Sequence, residues 1–95
     1  MDLNEIRQQI DAVDNEIVAL LEERMKLVTQ VSAYKQSTGK AIYDPEREKA
    51  LLSKVADSVV NPEYQEPIVA SFADIMKHSR TYQAGKLEGD RKSVV

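Results

Sequence analysis

A long, uninterrupted helical pattern at the start of the chain constrains its fold more than any other feature. From Leu3 to Tyr34 stripe positions recur at steps of three and four, with no proline in the run and one exception to apolarity, Arg24. Gly39 is placed to cap the end. The pattern predicts one helix over about residues 3–37, which is about 50 Å long. The stripe comprises Leu3, Ile6, Ile10, Val13, Ile17, Leu20, Arg24, Leu27, Val31 and Tyr34.

The predicted length of this helix has a consequence for assembly. The chain has 95 residues, which suffices for one small domain and not for two. A solid globule of this size is about 32 Å across. Because the helix exceeds that diameter, its apolar stripe needs a cover from outside the protomer. The sequence therefore predicts a homodimer whose protomers are intertwined.

A second helix begins at the segment "DPERE". Asp44 is placed to cap the free backbone amides, Pro45 suits the first helical position, and Glu46 favours the positive end of the helix dipole. The pattern predicts a helix over about residues 45–59.

A third helix follows the segment "VNPEYQEP". A helix beginning at Asn61 would lose an interior hydrogen bond at Pro67. We therefore expect an irregular turn over residues 61–66 and a helix over about residues 67–84, ended by Gly85. The expected fold is all-α, with three helices per protomer.

The chain divides into a helical domain and a short remainder. Residues 1–85 contain all the periodic segments and are predicted to form one domain. The last ten residues, "KLEGDRKSVV", lack periodicity, so residues 86–95 are predicted to be a flexible C-terminal tail.

Composition excludes several classes of function. A net charge of −3 provides no basic field for nucleic acid. Cysteine is absent and histidine occurs once, so thiolate catalysis, disulfides and Cys-ligated zinc are excluded and no metal site is expected. The start of the chain is acidic and polar, and no apolar run approaches a membrane span. We expect a cytoplasmic protein without membrane contact.

Polar residues occupy inward positions on all three helices: Arg24 on the first, Glu48 on the second, and Ser79 with Gln83 on the third. Lys35 lies eleven residues after Arg24, which is about 20° round the helix. Burying a neutral polar group without a partner costs about 2–7 kcal/mol, and a charge costs more. Polar residues at inward positions on all three helices therefore predict a shared buried site. Because two of them are cations, the expected ligand is an anion, most simply one bearing carboxylates.

Each of these residues also has an ordinary interpretation. Arg24 could specify register in a coiled coil, or extend to the rim of the interface. Lys35 and Glu48 could simply complement helix dipoles. Ser79 and Gln83 lie near a helix end, where polar side chains are usually solvated.

Arg7 stands apart from this group. It lies about 25 Å along the first helix from Arg24, so it cannot reach the same site within its own chain. Either it is an ordinary surface arginine, or an antiparallel dimer brings it to the site of the other protomer.

The arrangement resembles the all-helical class of chorismate mutases over roughly residues 3–84. The similarity runs from "IRQQIDAVDNEIVALLEERMKLVTQVSAYK" through "IYDPEREKALL" to "HSRTYQ". The motif is an arginine, a second arginine seventeen residues on, a lysine eleven further, then D-x-x-R-E and S-x-x-x-Q. The positions that match the family's binding or catalytic residues are Arg7, Arg24, Lys35, Asp44, Arg47, Glu48, Ser79 and Gln83.

The resemblance implies an isomerase that converts chorismate to prephenate on the route to phenylalanine and tyrosine. The reaction is a unimolecular [3,3] Claisen rearrangement that needs no metal or cofactor. The implied assembly is an intertwined homodimer with two equivalent sites, each of which receives Arg7 from the other chain.

Roles for the site residues follow from the same resemblance. Arg24 and Arg7 of the partner subunit hold the two carboxylates. Lys35 and Gln83 donate hydrogen bonds to the ether oxygen. Glu48 accepts one from the ring hydroxyl. Arg24, Lys35, Glu48 and Gln83 are thus the expected catalytic residues.

The remaining matched positions would support these contacts. Asp44 assists Glu48 at the ring hydroxyl, while Ser79 and Arg47 complete the carboxylate contacts.

Three other functions remain open from the sequence. An isochorismate–pyruvate lyase uses a similar cationic pocket on the same scaffold. A regulatory module could dock on another enzyme of the shikimate pathway. A purely structural helical dimer is the third alternative.

Overall fold

The computed structural model describes the backbone of residues 2–93 and the side chains of residues 2–86. Over these residues the chain is helical and contains no strand, which confirms the predicted all-α class. The first two helices end within one residue of their predicted bounds. The elements are α1 (Leu3–Thr38), α2 (Pro45–Ser58), a 3₁₀ turn (Pro62–Tyr64) and α3 (Gln65–Ser93).

Both ends of α1 are closed by local chemistry. The carboxylate of Asp2 accepts a hydrogen bond from the Glu5 amide at 2.8 Å. At the other end Gly39 adopts a left-handed conformation with φ of 75°, and its amide donates to the Lys35 carbonyl. Side chains with a Cβ disfavour this conformation. The predicted C-terminal cap at Gly39 is therefore confirmed.

The predicted start of α2 is also confirmed. Asp44 Oδ1 accepts a hydrogen bond from the Arg47 amide at 3.1 Å, and Pro45 occupies the first helical position. This cap fixes the angle at which α2 leaves the loop after α1. It also sets Arg47 and Glu48 in the first turn.

The start of α3 differs from the prediction. Asn61 caps the 3₁₀ turn, accepting from the Glu63 amide at 3.0 Å, and α3 follows directly from Gln65. The predicted start at residue 67 is thus wrong by two residues. Pro67 lies in the first turn, where a backbone amide has no partner within the helix. It removes no hydrogen bond there.

The end of α3 differs as well. The helix continues through Gly85 to Ser93, so the prediction that it ends at Gly85 is wrong. Glycine ends a helix when its backbone turns left-handed, and among residues 2–93 only Gly39 has a positive φ. The flexibility of the tail over residues 86–95 stays a prediction. Its last two residues lie outside the described part.

The packing is centred on α3, which contacts both α1 and α2. Met76 is the one apolar side chain that is buried among those described, at 4% exposure. Thr29 Oγ1 on α1 and Tyr82 Oη on α3 share a hydrogen bond at 3.3 Å. This bond, and secondarily the positive charge of Lys86, lower the pKa of the Tyr82 phenol below its ordinary value.

The N-terminal half of α1 is exposed along its whole length in the single protomer. The protomer measures 58 × 27 × 15 Å, close to the predicted helix length in its longest dimension. The apolar stripe of this half is exposed in the single protomer. Its exposed members are Leu3, Ile6, Ile10, Val13, Ile17 and Leu20. Within the described residues no helix has both the length and the hydropathy that a membrane span requires.

Candidate active site

A pocket of about 270 Å³ lies where the three helices meet. Its wall combines the C-terminal half of α1, the loop after it, the first turns of α2 and the middle of α3. The lining residues are Arg24, Leu27, Val28, Val31, Lys35, Ile42, Asp44, Arg47, Glu48, Leu51, Met76, Ser79, Arg80 and Gln83.

Positive charge predominates in this lining. Four basic side chains face two acidic ones, a formal excess of two positive charges. Such an excess at a partly enclosed site attracts anions and matches a ligand with two carboxylates. Among the described side chains no group of three or more carboxylates and imidazoles is placed to hold a metal ion. The charged members are Arg24, Lys35, Arg47, Arg80, Asp44 and Glu48.

A hydrogen-bond relay orients Arg24. Its Nη1 donates to Ser79 Oγ at 2.8 Å, and Ser79 Oγ donates in turn to the Ile75 carbonyl at 2.8 Å. Because a hydroxyl has one proton, Ser79 can only accept from the guanidinium. Ser79 is 5% exposed, so the relay is shielded from water. The planar fork of Arg24 keeps further N–H groups for a ligand.

Lys35 connects the end of α1 to the loop that precedes α2. Its Nζ donates to the Ile42 carbonyl at 2.7 Å, and the side chain is half-buried. An ammonium group has three donors. One of them therefore anchors Lys35 to the loop while the side chain lines the pocket.

Gln83 is also buried in the pocket, at 6% exposure. Its Oε1 is buried and has no hydrogen-bond partner among the described residues. The oxygen and nitrogen of a side-chain amide are assigned from their contacts, so either could face this position. A buried polar atom without a partner is destabilising. A ligand with a hydrogen-bonding group could therefore satisfy the side-chain amide of Gln83.

Glu48 is paired with an arginine that the sequence analysis did not single out. Arg80 Nη1 donates to Glu48 Oε1, and the Arg80 guanidinium carbon lies 4.7 Å from the centre of the Tyr43 ring. The sequence indicates that Glu48 needs a cationic partner without identifying which residue supplies it. A carboxylate at an inward position of α2 needs a cation on the facing helix, and Arg80 immediately follows Ser79 in "HSRTYQ".

The structure brings seven of the eight predicted site residues into one pocket. Those seven are Arg24, Lys35, Asp44, Arg47, Glu48, Ser79 and Gln83. Arg7 does not line it. It lies on the exposed N-terminal half of α1, about 25 Å along the helix from Arg24.

Fold and pocket together define a small all-helical protein with a pocket of net positive charge between its helices. Residues 6–84 match the chorismate mutase type II family. The chain belongs to this family.

Individual relatives agree with this assignment. A chorismate mutase from Methanocaldococcus jannaschii is 34% identical over 87 residues, covering 90% of this chain and 88% of the relative. The structure of chorismate mutase (Form II) from Thermus thermophilus superposes with a TM-score of 0.81 at 30% identity. That match covers 86% of this chain and 93% of the other.

Some relatives are much longer than this chain. The T-protein of Haemophilus influenzae is 44% identical over 50 residues, which is 53% of this chain and 13% of the T-protein. In such relatives the matching segment is a small part of the whole.

Proposed function

We propose that this chain catalyses the rearrangement of chorismate to prephenate on the route to phenylalanine and tyrosine. The observation that carries the proposal is the Arg24–Ser79 pair, a guanidinium held at 2.8 Å by a buried hydroxyl. It lies in a pocket with a formal excess of two positive charges, and chorismate is a dicarboxylate. Membership of the chorismate mutase type II family supports the same reaction.

The rearrangement is unimolecular, so the task of the site is restraint. One σ bond, the ether C–O bond, breaks while a C–C bond forms in a chair-like transition state. Holding the flexible substrate in that shape lowers the entropic part of the barrier. Arg24 holds one carboxylate through its planar fork, and Arg7 of the partner subunit holds the other.

Charge develops on the ether oxygen as its bond to carbon breaks. Lys35 and Gln83 donate hydrogen bonds to that oxygen. A donor already aimed at developing charge is worth about 2.7–4 kcal/mol, by analogy with oxyanion holes. The anchoring of Lys35 to the Ile42 carbonyl and the burial of Gln83 support fixed positions for both donors.

The other site residues hold the ring and the arginines. Glu48, with Asp44 nearby, accepts a hydrogen bond from the ring hydroxyl. Arg47 and Ser79 complete the carboxylate contacts, and Ser79 orients Arg24 directly.

The proposed active form is an intertwined homodimer. The apolar stripe on the N-terminal half of α1 is exposed in the single protomer. Large contiguous apolar surfaces of this kind usually mark an interface. An antiparallel pairing of two α1 helices would cover the stripe and carry Arg7 towards the partner's pocket.

The setting of the enzyme follows from the same proposal. We assign the function to residues 1–85, with residues 86–95 as an appendage, and we expect a cytoplasmic location. Another enzyme of the pathway is a candidate docking partner. In Aquifex aeolicus a bifunctional chorismate mutase/prephenate dehydratase matches this chain over only 15% of its own length.

A continuous absorbance assay for loss of chorismate tests the proposal. Prephenate is confirmed by its conversion to phenylpyruvate in acid, and isochorismate is tested in parallel with pyruvate release as the readout. Saturable formation of prephenate is the expected result. Turnover of isochorismate alone would identify a lyase and overturn the proposal. A folded dimer that is inactive on both would indicate a regulatory or structural role.

A further inference from the structure

Arg80 and Glu48 form a hydrogen-bonded ion pair at the edge of the pocket. Arg80 Nη1 donates to Glu48 Oε1, and the two side chains are 31% and 20% exposed. Both line the pocket. The pair joins α3 to the first turn of α2. It is therefore partly shielded from water, where a charge-assisted hydrogen bond is stronger than at an open surface.

Arg80 is also held from its other side. Its guanidinium carbon lies 4.7 Å from the centre of the Tyr43 ring, a cation–π distance. Tyr43 belongs to the loop between α1 and α2. The guanidinium thus bridges that loop and α2, and both contacts restrict where its planar fork can lie.

Charge balance separates Arg80 from the other basic residues of the pocket. The charge of Arg80 is neutralised by Glu48 across a direct hydrogen bond. The formal excess of two positive charges then resides on Arg24, Lys35 and Arg47, against Asp44. The carboxylates of a ligand are therefore matched without Arg80.

We propose that Arg80 is a positioning residue that orients Glu48 towards the ring hydroxyl of the substrate. This inference rests on the proposed mutase function. With Oε1 held by Arg80, the second carboxylate oxygen of Glu48 is directed to the substrate. The hydroxyl is not at a bond that breaks or forms, so its contact has similar strength in the ground state and the transition state. Such uniform binding controls KM rather than kcat.

Steady-state kinetics of single variants test this assignment. Arg80→Ala should raise KM for chorismate by about 10- to 100-fold, the loss that corresponds to one hydrogen bond to a charged group, with kcat nearly unchanged. The KM of Arg80→Lys should lie between those of the wild type and Arg80→Ala, because a lysine keeps the charge and loses the planar fork of the guanidinium. Lys77→Ala, which removes an exposed charge from the same helix, should match the wild type.

The Tyr43 contact supplies a second comparison. Tyr43 is exposed, so substitutions there keep the fold. Tyr43→Leu should raise KM about two- to fivefold relative to Tyr43→Phe, which corresponds to an exposed cation–π contact. Equal KM values for the two variants would show that the ring does not hold Arg80.

A double-mutant cycle with Glu48→Gln separates positioning from direct contact. If Arg80 acts through Glu48, Arg80→Ala adds little to the KM of Glu48→Gln. If the KM increases of the two single variants instead multiply in the double variant, Arg80 contacts the substrate itself. That result would overturn the proposal. A loss confined to kcat would do the same.

The activity of the wild type separates a failure of the proposed mutase function from a failure of the positioning role. An inactive wild type would overturn the proposed function. An active wild type with an unchanged KM in both Arg80→Ala and Arg80→Lys would overturn the positioning role alone. Melting temperatures of all variants identify any that fail to fold. If Arg80→Ala does not fold, the single variants Tyr43→Leu and Arg80→Lys test the positioning role.

Discussion

Arg24 on α1 donates a hydrogen bond to Ser79 on α3 across 2.8 Å, between residues 55 positions apart in the chain. Each of the two interrupts the apolar stripe of its own helix, and each is the other's partner. The relay onward to the Ile75 carbonyl fixes the direction of the guanidinium. Arg24 and Ser79 thus form a connected polar group whose hydrogen bonds offset the free-energy cost of burying it. The guanidinium presents its remaining N–H donors to the pocket.

Removal of either proposed donor to the ether oxygen should lower the turnover rate. We expect Lys35→Ala and Gln83→Ala to reduce kcat by about 10²- to 10³-fold, the effect of losing one oxyanion-hole donor. Circular dichroism and sedimentation should show that helicity and assembly persist. Steady-state kinetics on chorismate measure the effect, and normal kcat in either variant would remove that residue from the proposed role.

The neutral amide of Gln83 makes a prediction about pH. An amide donates without being protonated, so kcat should stay within about twofold between pH 6 and 8. Gln83→Glu supplies the contrast. An ordinary glutamate ionises at about pH 4.3 and then only accepts hydrogen bonds, so the activity of this variant should be lost as the pH rises. A steep loss in the wild type over pH 6–8 would contradict the assignment.

Mixed dimers test whether Arg7 acts across the interface. Arg7→Ala and Arg24→Ala should each be nearly inactive alone. A hybrid of the two rebuilds one intact site, so an equal mixture of subunits should recover about a quarter of the wild-type activity. Inactive hybrids of folded variants would show that Arg7 does not serve the partner's site.

A charge on the exposed stripe of α1 should disrupt assembly. Ile10 is 51% exposed in the single protomer, and a lysine there would be buried without a partner in a dimer. Ile10→Lys should raise the dimer dissociation constant by more than about a hundredfold. Gln8→Lys adds the same charge on the opposite face and serves as the control. Sedimentation velocity provides the measurement, and an intact dimer in Ile10→Lys would contradict the proposed interface.

Local signals were sufficient for most element boundaries. Asp44, Pro45 and Gly39 act at the positions where their side chains or backbones predict a cap or a turn. Gly85 carried a misleading signal, because a glycine can also continue a helix when its φ stays negative. Pro67 led to a predicted start of α3 that is two residues too late, since a proline in the first turn removes no hydrogen bond and need not begin the helix.

The site was predictable to the extent that its residues interrupt a periodic pattern. Arg24, Glu48, Ser79 and Gln83 are visible as polar residues on apolar stripes, and the pocket contains all four. Arg80 occupies no stripe position, so no period identifies it. Its pairing with Glu48 depends on how α2 and α3 pack, which is a tertiary property that local spacing does not specify.

The most direct test of the central claim is the activity and stability of Arg24→Leu beside the wild type. As a carboxylate clamp, Arg24 should be needed for turnover, and the variant should lose at least about 10²-fold in kcat/KM. Its melting temperature should be unchanged or higher, because an apolar residue suits the stripe. Full chorismate mutase activity in a stabilised Arg24→Leu protein would contradict the account, and would make Arg24 a residue of the helical scaffold alone.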